Sequence, residues 1–207
     1  MTYESLSDDM MLNYHLMHPG EDSRPGDPNI AYCLNGTYHL HYILKHRWDG
    51  PNSPNAPEGE SFSFVHVTSR DMIHWTWQKT TLQPSFTGHG MYSGSGFITK
   101  DGKPAGIYCG VSNPRNTFIV TAEDDNLEVW NKPYPVLPKG GPDGKDMRLG
   151  GDPDLFTVGE TYYAYSASED VQLCKSQNLI DWEYVGPLME GNVPGVVVGE
   201  DLSCSNM

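Results

Sequence analysis

One short segment occurs three times along this chain, and its spacing is the feature that most constrains the fold. In each copy, Asp or Asn precedes an aliphatic residue or Met, and a Trp closes the segment: SRDMIHW at 69–75, DDNLEVW at 124–130 and SQNLIDW at 176–182. The closing Trp75, Trp130 and Trp182 are 55 and 52 positions apart. A repeat of roughly 50 residues with four short strands is typical of a β-propeller blade. The sequence therefore predicts an all-β propeller.

Strand and turn signals between these segments agree with that repeat. The pair Asn35-Gly36 between two alternating runs predicts a hairpin, because both residues tolerate positive φ. Further strand-like runs lie at 30–34, 37–44, 61–68, 92–99, 106–111, 117–122, 154–158, 161–166 and 171–175, and a turn and strand at 123–130. Residues 1–25 are predicted to be irregular. We expect about three and a half blades in the chain.

An incomplete ring of blades has a consequence for the domain organisation. Three blades and the start of a fourth do not close a propeller, and an open propeller exposes sheet faces that a closed ring buries. We therefore interpret residues 1–207 as a partial catalytic domain, with the remaining blades expected after residue 207.

Charge and hydropathy exclude several classes of partner. With 27 acidic and 13 basic residues the formal charge is −14, which argues against nucleic acid or an anionic membrane as partner. The sequence has no run of 18 apolar residues, so it predicts no membrane-spanning helix. No secretory signal is visible at the N-terminus, which favours the cytoplasm but leaves the compartment undecided. The oligomeric state is not indicated.

Two Gly-Asp-Pro turns introduce strands in different repeats, at Asp27 and Asp152. Because the first strand of each blade lines the central channel, these two carboxylates should converge at one mouth with the side chains of Ser93 and Glu200, which hold the equivalent positions of the other repeats. Convergence raises at least one carboxyl pKa. A protonated carboxyl beside an ionised one is what glycoside hydrolysis requires. The alternative is that Asp-Pro only forms turns.

A carbohydrate substrate is the partner that this arrangement predicts. The aromatic residues Trp48, Phe64 and Tyr92 could provide apolar platforms for sugar rings. The chemistry requires no metal or organic cofactor, and the histidines show no metal-ligand spacing.

These residues resemble glycoside hydrolase family 32, the invertase, levanase and inulinase group of five-bladed propellers. The resemblance covers nearly the whole chain. It rests on the motifs Asp27-Pro28-Asn29, Gly36-Thr37-Tyr38-His39-Leu40-His41-Tyr42, the segment ending in His74-Trp75, Tyr92-Ser93-Gly94-Ser95 and Asp152-Pro153. The fold that the resemblance implies is a five-bladed β-propeller.

The resemblance also implies roles for individual residues in a retaining mechanism. Asp27 would be the nucleophile, Glu200 the acid/base and Asp152 the stabiliser of the transition state. Residues that would bind the sugar are Asn29, Trp48, Phe64, Tyr92, Ser93, Arg148 and Asp201. The chain would then hydrolyse fructosides or related furanosides.

The departures from the family pattern keep two alternatives open. Gly151 stands where the family has the Arg of an Arg-Asp-Pro motif, with Arg148 the nearest substitute, and the acid motif can align on Glu200 or on Ser203. One alternative is an inverting arabinofuranosidase or xylosidase like those of family 43. The other is a propeller that binds carbohydrate without catalysis.

Overall fold

In a computed structural model, which describes residues 24–48, 59–111, 114–167 and 171–189, the chain folds into three four-stranded antiparallel sheets. Blade 1 contains β1 (Arg24–Leu34), β2 (Thr37–Arg47), β3 (Glu60–Ser69) and β4 (Trp75–Gln78); blade 2 contains β5 (Gly90–Ile98), β6 (Pro104–Val111), β7 (Asn116–Thr121) and β8 (Tyr134–Pro135); and blade 3 contains β9 (Asp152–Val158), β10 (Thr161–Ala167), β11 (Gln172–Ser176) and β12 (Trp182–Pro187). A one-turn helix, α1 (Pro84–Thr87), connects the first two blades. The strands of each blade pair in chain order, as the repeat predicts.

The first strands of successive blades face one another. β1 contacts β5, and β5 contacts β9, whereas β4, β8 and β12 lie at the outer edges of their sheets. This order confirms that the first strand of each blade is the inner one. We call the edge at which β1, β5 and β9 begin the mouth.

The repeated sequence segment forms the same corner in all three blades. Its aliphatic residue or Met adopts positive φ, and the Trp indole nitrogen donates to the carbonyl oxygen of that residue, in the pairs Trp75–Met72, Trp130–Leu127 and Trp182–Leu179. Ser69 and Ser176 accept the backbone N–H three residues on, which holds the turn. The corner is a local structure, which explains why a short motif predicts it.

Two apolar clusters join the blades. The first packs the Trp130 and Leu127 corner of blade 2 against Ile30, Ile43 and Phe64 of blade 1. The second packs the corresponding corner of blade 3 against β6 and β7 of blade 2. The corners of blades 2 and 3 therefore pack on the preceding blade, and burial of their large side chains stabilises the contact between blades.

Two sequence predictions differ from the structure at their boundaries. β1 begins at Arg24, so the last two residues of the predicted irregular segment 1–25 belong to a strand. The outer strand of blade 2 lies at Tyr134–Pro135, with only one isolated bridge, Ala122 to Trp130, in the predicted region. The predicted fourth blade falls outside the described residues. No helix among those residues is long and apolar enough to cross a membrane.

Candidate active site

Asp27 lies at the mouth, where a hydrogen-bond network joins blade 1 to blade 2. The Ser93 hydroxyl donates to Asp27 Oδ2 at 3.1 Å. Asn29 Nδ2 donates to the Asp27 carbonyl oxygen at 2.9 Å, and Asn29 Oδ1 accepts the Gly94 N–H at 2.9 Å. The Asp27 side chain remains exposed, whereas Ser93 is buried. The Ser93 hydroxyl therefore holds one oxygen of an accessible carboxylate, and the positioning of a nucleophile requires such a contact.

Ser95, the second serine of the Ser93-Gly94-Ser95 motif, contacts blade 3. Ser95 Oγ donates to Asp154 Oδ1, and Tyr165 donates to Asp154 Oδ2 at 3.3 Å. Ser93 and Ser95 are two positions apart on one strand, so both point to the same face of β5. The central blade thus contacts Asp27 of blade 1 through one serine and Asp154 of blade 3 through the other.

Gly94, between the two serines, allows this close approach. A Cβ at this position would lie 2.1 Å from the Ile107 carbonyl oxygen and 2.6 Å from Tyr108 Cα. No side chain fits there without displacing the β6 backbone. The Ser-Gly-Ser motif therefore places two hydroxyls on one face of β5, and its glycine leaves room for the β6 backbone on the other face.

Asp152 is the first residue of β9 and is half-buried. The preceding Gly151 has φ +92°, and a Cβ there would lie 2.2 Å from the Ala167 carbonyl oxygen. The charge of Asp152 also affects the pKa of the buried Cys109 thiol. Burial raises the pKa of Cys109, the positive charge of Arg115 and a backbone hydrogen bond from Gly151 lower it, and the charge of Asp152 raises it.

Aromatic residues line the mouth beside Asp27. Tyr92, which precedes Ser93, is 36% exposed and packs edge-to-face on Phe62 with 5.3 Å between ring centroids. Trp48 follows β2 at the edge where β1 begins and is partly exposed. Both side chains have accessible surface, so a role for Trp48 and Tyr92 as sugar platforms stays a prediction.

The structure corrects the prediction that Phe64 is a sugar platform. Phe64 is 1% exposed and packs against Tyr108 in the cluster between blades 1 and 2. A ring without accessible surface cannot stack on a substrate, so the prediction of Phe64 as a sugar platform is wrong. Phe64 is a core residue.

The remaining predicted residues are not brought into the network described here. Arg148 is exposed, and its side chain makes no hydrogen bond or ion pair within the described part of the chain. Glu200 and Asp201 lie outside the described residues. The structure adds Asp154 and Arg115, which the sequence interpretation did not single out. The sequence feature that could have identified Asp154 is its position two residues after Asp152 in β9, because residues two apart on a strand lie on the same face.

No group of three or more His, Cys, Asp or Glu in residues 24–48, 59–111, 114–167 and 171–189 has the geometry to hold a metal ion. The three neighbouring histidines His39, His41 and His66 instead stack on one another inside blade 1, with ring centroids of the first and third 5.3 Å apart and of the second and third 4.3 Å apart.

Comparison with known proteins assigns the family. The model of the glycosyl hydrolases family 32 N-terminal domain matches residues 22–205, which is most of the chain. The chain belongs to glycosyl hydrolase family 32. The resemblance inferred from the motifs is thereby confirmed.

Similar proteins of known name agree with membership of family 32. A β-fructofuranosidase, insoluble isoenzyme 7, from Oryza sativa subsp. indica is 29% identical over 195 residues, covering 85% of this chain and 31% of that protein. The insoluble isoenzyme CWINV6 of Arabidopsis thaliana is 34% identical over 117 residues, covering 52% of this chain and 20% of that protein. This family 32 chain thus spans a third or less of the length of these two relatives.

Solved structures show the same fold. Fructan 1-exohydrolase IIa from Cichorium intybus superposes with a TM-score of 0.64 at 21% identity, covering 84% of this chain and 34% of that one. Exo-inulinase from Aspergillus awamori gives a TM-score of 0.62 at 20% identity, covering 88% and 40%. The three described blades of this family 32 chain therefore have the propeller fold of these structures, which confirms the predicted partial propeller.

Removal of the Asp154 carboxylate is expected to destabilise this family 32 chain. In Asp154→Ala, the Ser95 and Tyr165 hydroxyls lose their buried acceptor, which costs about 3 kcal/mol of unfolding free energy. Denaturant unfolding monitored by tryptophan fluorescence measures the loss. The control is Asp146→Ala at an exposed position, which should leave the midpoint unchanged. Equal midpoints for the two variants would contradict the role of Asp154 as a link between blades.

Proposed function

We propose that this chain carries the nucleophile of a retaining glycosidase that acts on fructosides. The observation that carries the proposal is the exposed Asp27 carboxylate, which accepts a hydrogen bond from Ser93, while Asn29 joins the Asp27 backbone to Gly94. Membership of family 32 supports it, and so does the similarity to relatives that are β-fructofuranosidases.

In the proposed first step, an Asp27 oxygen attacks the anomeric carbon of the fructosyl unit, and the bond from that carbon to the glycosidic oxygen breaks. Glu200 transfers its proton to the departing oxygen. Asp152, held at the mouth by the Gly151 turn, stabilises the positive charge that develops on the sugar ring. The product of this step is a fructosyl ester of Asp27.

In the second step, the Glu200 carboxylate removes a proton from a water molecule, and the water oxygen attacks the same carbon. The ester bond breaks, and Asp27 leaves as a carboxylate. Two displacements at one carbon retain its configuration. The mechanism requires that the Asp27 and Glu200 carboxyl groups lie about 5–5.5 Å apart, the separation of retaining glycosidases.

The substrate class is tested by assay of the full chain on sucrose, inulin and levan, with arabinosides and xylosides as the comparison. Release of fructose from at least one fructoside, and no release of pentose, is the expected result. Pentose release would instead support the alternative of a family 43-like enzyme. Binding of fructosides without turnover would support the non-catalytic alternative.

A further inference from the structure

Arg115 places a guanidinium group at the mouth beside the Asp27 network. The residue directly precedes β7 and is exposed, and its Cζ lies 5.9 Å from the centroid of the Tyr92 ring. Tyr92 is followed by Ser93, whose hydroxyl donates to Asp27. Since β5 begins and β6 ends at the mouth, the loop that carries Arg115 lies there too.

The segment that carries Arg115 also lies on the Asp152 side of blade 2, because the hydroxyl of Thr117, two residues on, donates to the carbonyl oxygen of Leu149 at 3.0 Å. The buried thiol of Cys109, on the neighbouring strand β6, is within electrostatic range of both side chains: the charge of Arg115 lowers its pKa and that of Asp152 raises it. The Arg115 segment thus lies beside Tyr92 on one side and beside the segment that leads into Asp152 on the other. Within the described residues, the Arg115 side chain forms no ion pair that would occupy it.

The local backbone excludes an arginine at the residue before Asp152. Gly151 has φ +92°, where an L side chain is strained, and its Cβ would lie 2.2 Å from the Ala167 carbonyl oxygen. Any cation at this part of the mouth therefore comes from another segment of the chain. Arg148 is exposed, whereas the Arg115 guanidinium contacts Tyr92, the residue that precedes Ser93.

We propose that Arg115 is a substrate-binding residue, whose guanidinium donates hydrogen bonds to hydroxyl groups of the fructosyl unit held between Asp27 and Asp152. The planar guanidinium carries five N–H donors and stacks well on an aromatic ring. The cation–π contact with Tyr92, 5.9 Å from Cζ to the ring centroid, favours a guanidinium position near the mouth before the sugar arrives. The positive charge also offsets the repulsion between the two carboxylates. The inference rests on the proposed function in taking the ligand to be a fructoside.

The test compares Arg115→Gln and Arg115→Lys with the wild type in the full chain. Loss of a hydrogen bond from a charged donor should raise KM about tenfold in Arg115→Gln, with kcat changed less than about threefold. Arg115→Lys should recover part of the loss, because it keeps the charge but not the planar fork. Arg70→Gln, at an exposed position near the start of β4 and away from the mouth, is the matched control and should behave as wild type.

A second arm measures sucrose binding by calorimetry in an Asp27→Asn background, with and without Arg115→Gln, so that affinity is read without turnover. An Arg115-dependent Kd supports the inference even if the wild type hydrolyses no fructoside, a result that would overturn only the proposed function. Hydrolysis with a KM and Kd that do not depend on Arg115 overturns the inference and leaves the proposed function intact. A tenfold rise in KM for Arg148→Gln but not for Arg115→Gln also overturns it, and a wild type that neither binds nor hydrolyses overturns both.

Discussion

Asp27→Asn is expected to reduce kcat/KM on the preferred fructoside about 10⁴-fold or more, since loss of one member of a catalytic set costs roughly 10⁴- to 10⁶-fold. An amide cannot form the covalent ester that the first step requires. The substitution keeps an oxygen at the position that accepts from Ser93, and the side chain is exposed, so the fold should be unaffected. Initial rates on sucrose or inulin measure the loss.

The control for this variant is Asp146→Asn, which makes the same change in charge at an exposed carboxylate outside the mouth. It should retain wild-type kinetics. Both variants should unfold within about 1 kcal/mol of the wild type, as surface substitutions do. Activity in Asp27→Asn within tenfold of the wild type would contradict the assignment of the nucleophile.

Acid destabilisation is the second large expected effect. Burial lowers the pKa of His66 and of His89 from 6.5 to about 4, and it lowers the pKa of the stacked His39 and His41 as well. The neighbouring histidines add to the shift of His41, whereas the Lys79 carbonyl and Asp124 partly oppose that of His66. The folded protein therefore keeps these rings neutral at pH values where an unfolded chain protonates them.

The sign follows from proton linkage. Between pH 6.5 and about 4 the unfolded state binds more protons than the folded state, so stability falls as the pH falls through this window. A shift from 6.5 to about 4 corresponds to about 3 kcal/mol for each of His66 and His89 once the pH is below both folded values. Above pH 6.5 these histidines should not affect the pH dependence.

Urea unfolding at pH 7.5, 6.0 and 5.0 measures this slope. His66→Gln and His89→Gln should each unfold at a lower urea concentration than the wild type at pH 7.5, because packing is lost, and each should lose less stability on acidification. The dependence of stability on pH, compared between each variant and the wild type, separates the effect of histidine protonation from the effect of lost packing. A wild-type stability that is constant from pH 7.5 to 5.0 would contradict the account.

The blade repeat was predictable from sequence because it is built from local structure. The corner that ends at Trp130 depends on a turn and an indole hydrogen bond within seven residues, so its motif is legible in one stretch of chain. The outer strand of blade 2 was placed too early because Tyr134–Pro135 is only two residues long. A strand that short has no periodicity to read.

The site was predictable in part, and the misses have a common physical cause. The contact between Asp27 and Ser93 could be anticipated, because equivalent first strands meet at the mouth. Phe64 and Arg115 could not be assigned, since burial of the one and the ring contact of the other depend on packing between strands distant in sequence. The periodicity of a strand predicts which of its side chains share a face, but it does not predict which residues of the next blade those side chains contact.

The measurement that tests the central claim most directly is the configuration of the first sugar released, followed by NMR during the early phase of hydrolysis before mutarotation. A retaining mechanism with Asp27 as nucleophile predicts that the anomeric carbon first appears with the configuration of the substrate. Transfer to added methanol should give a methyl fructoside of the same configuration. A first product of inverted configuration would contradict the proposed mechanism.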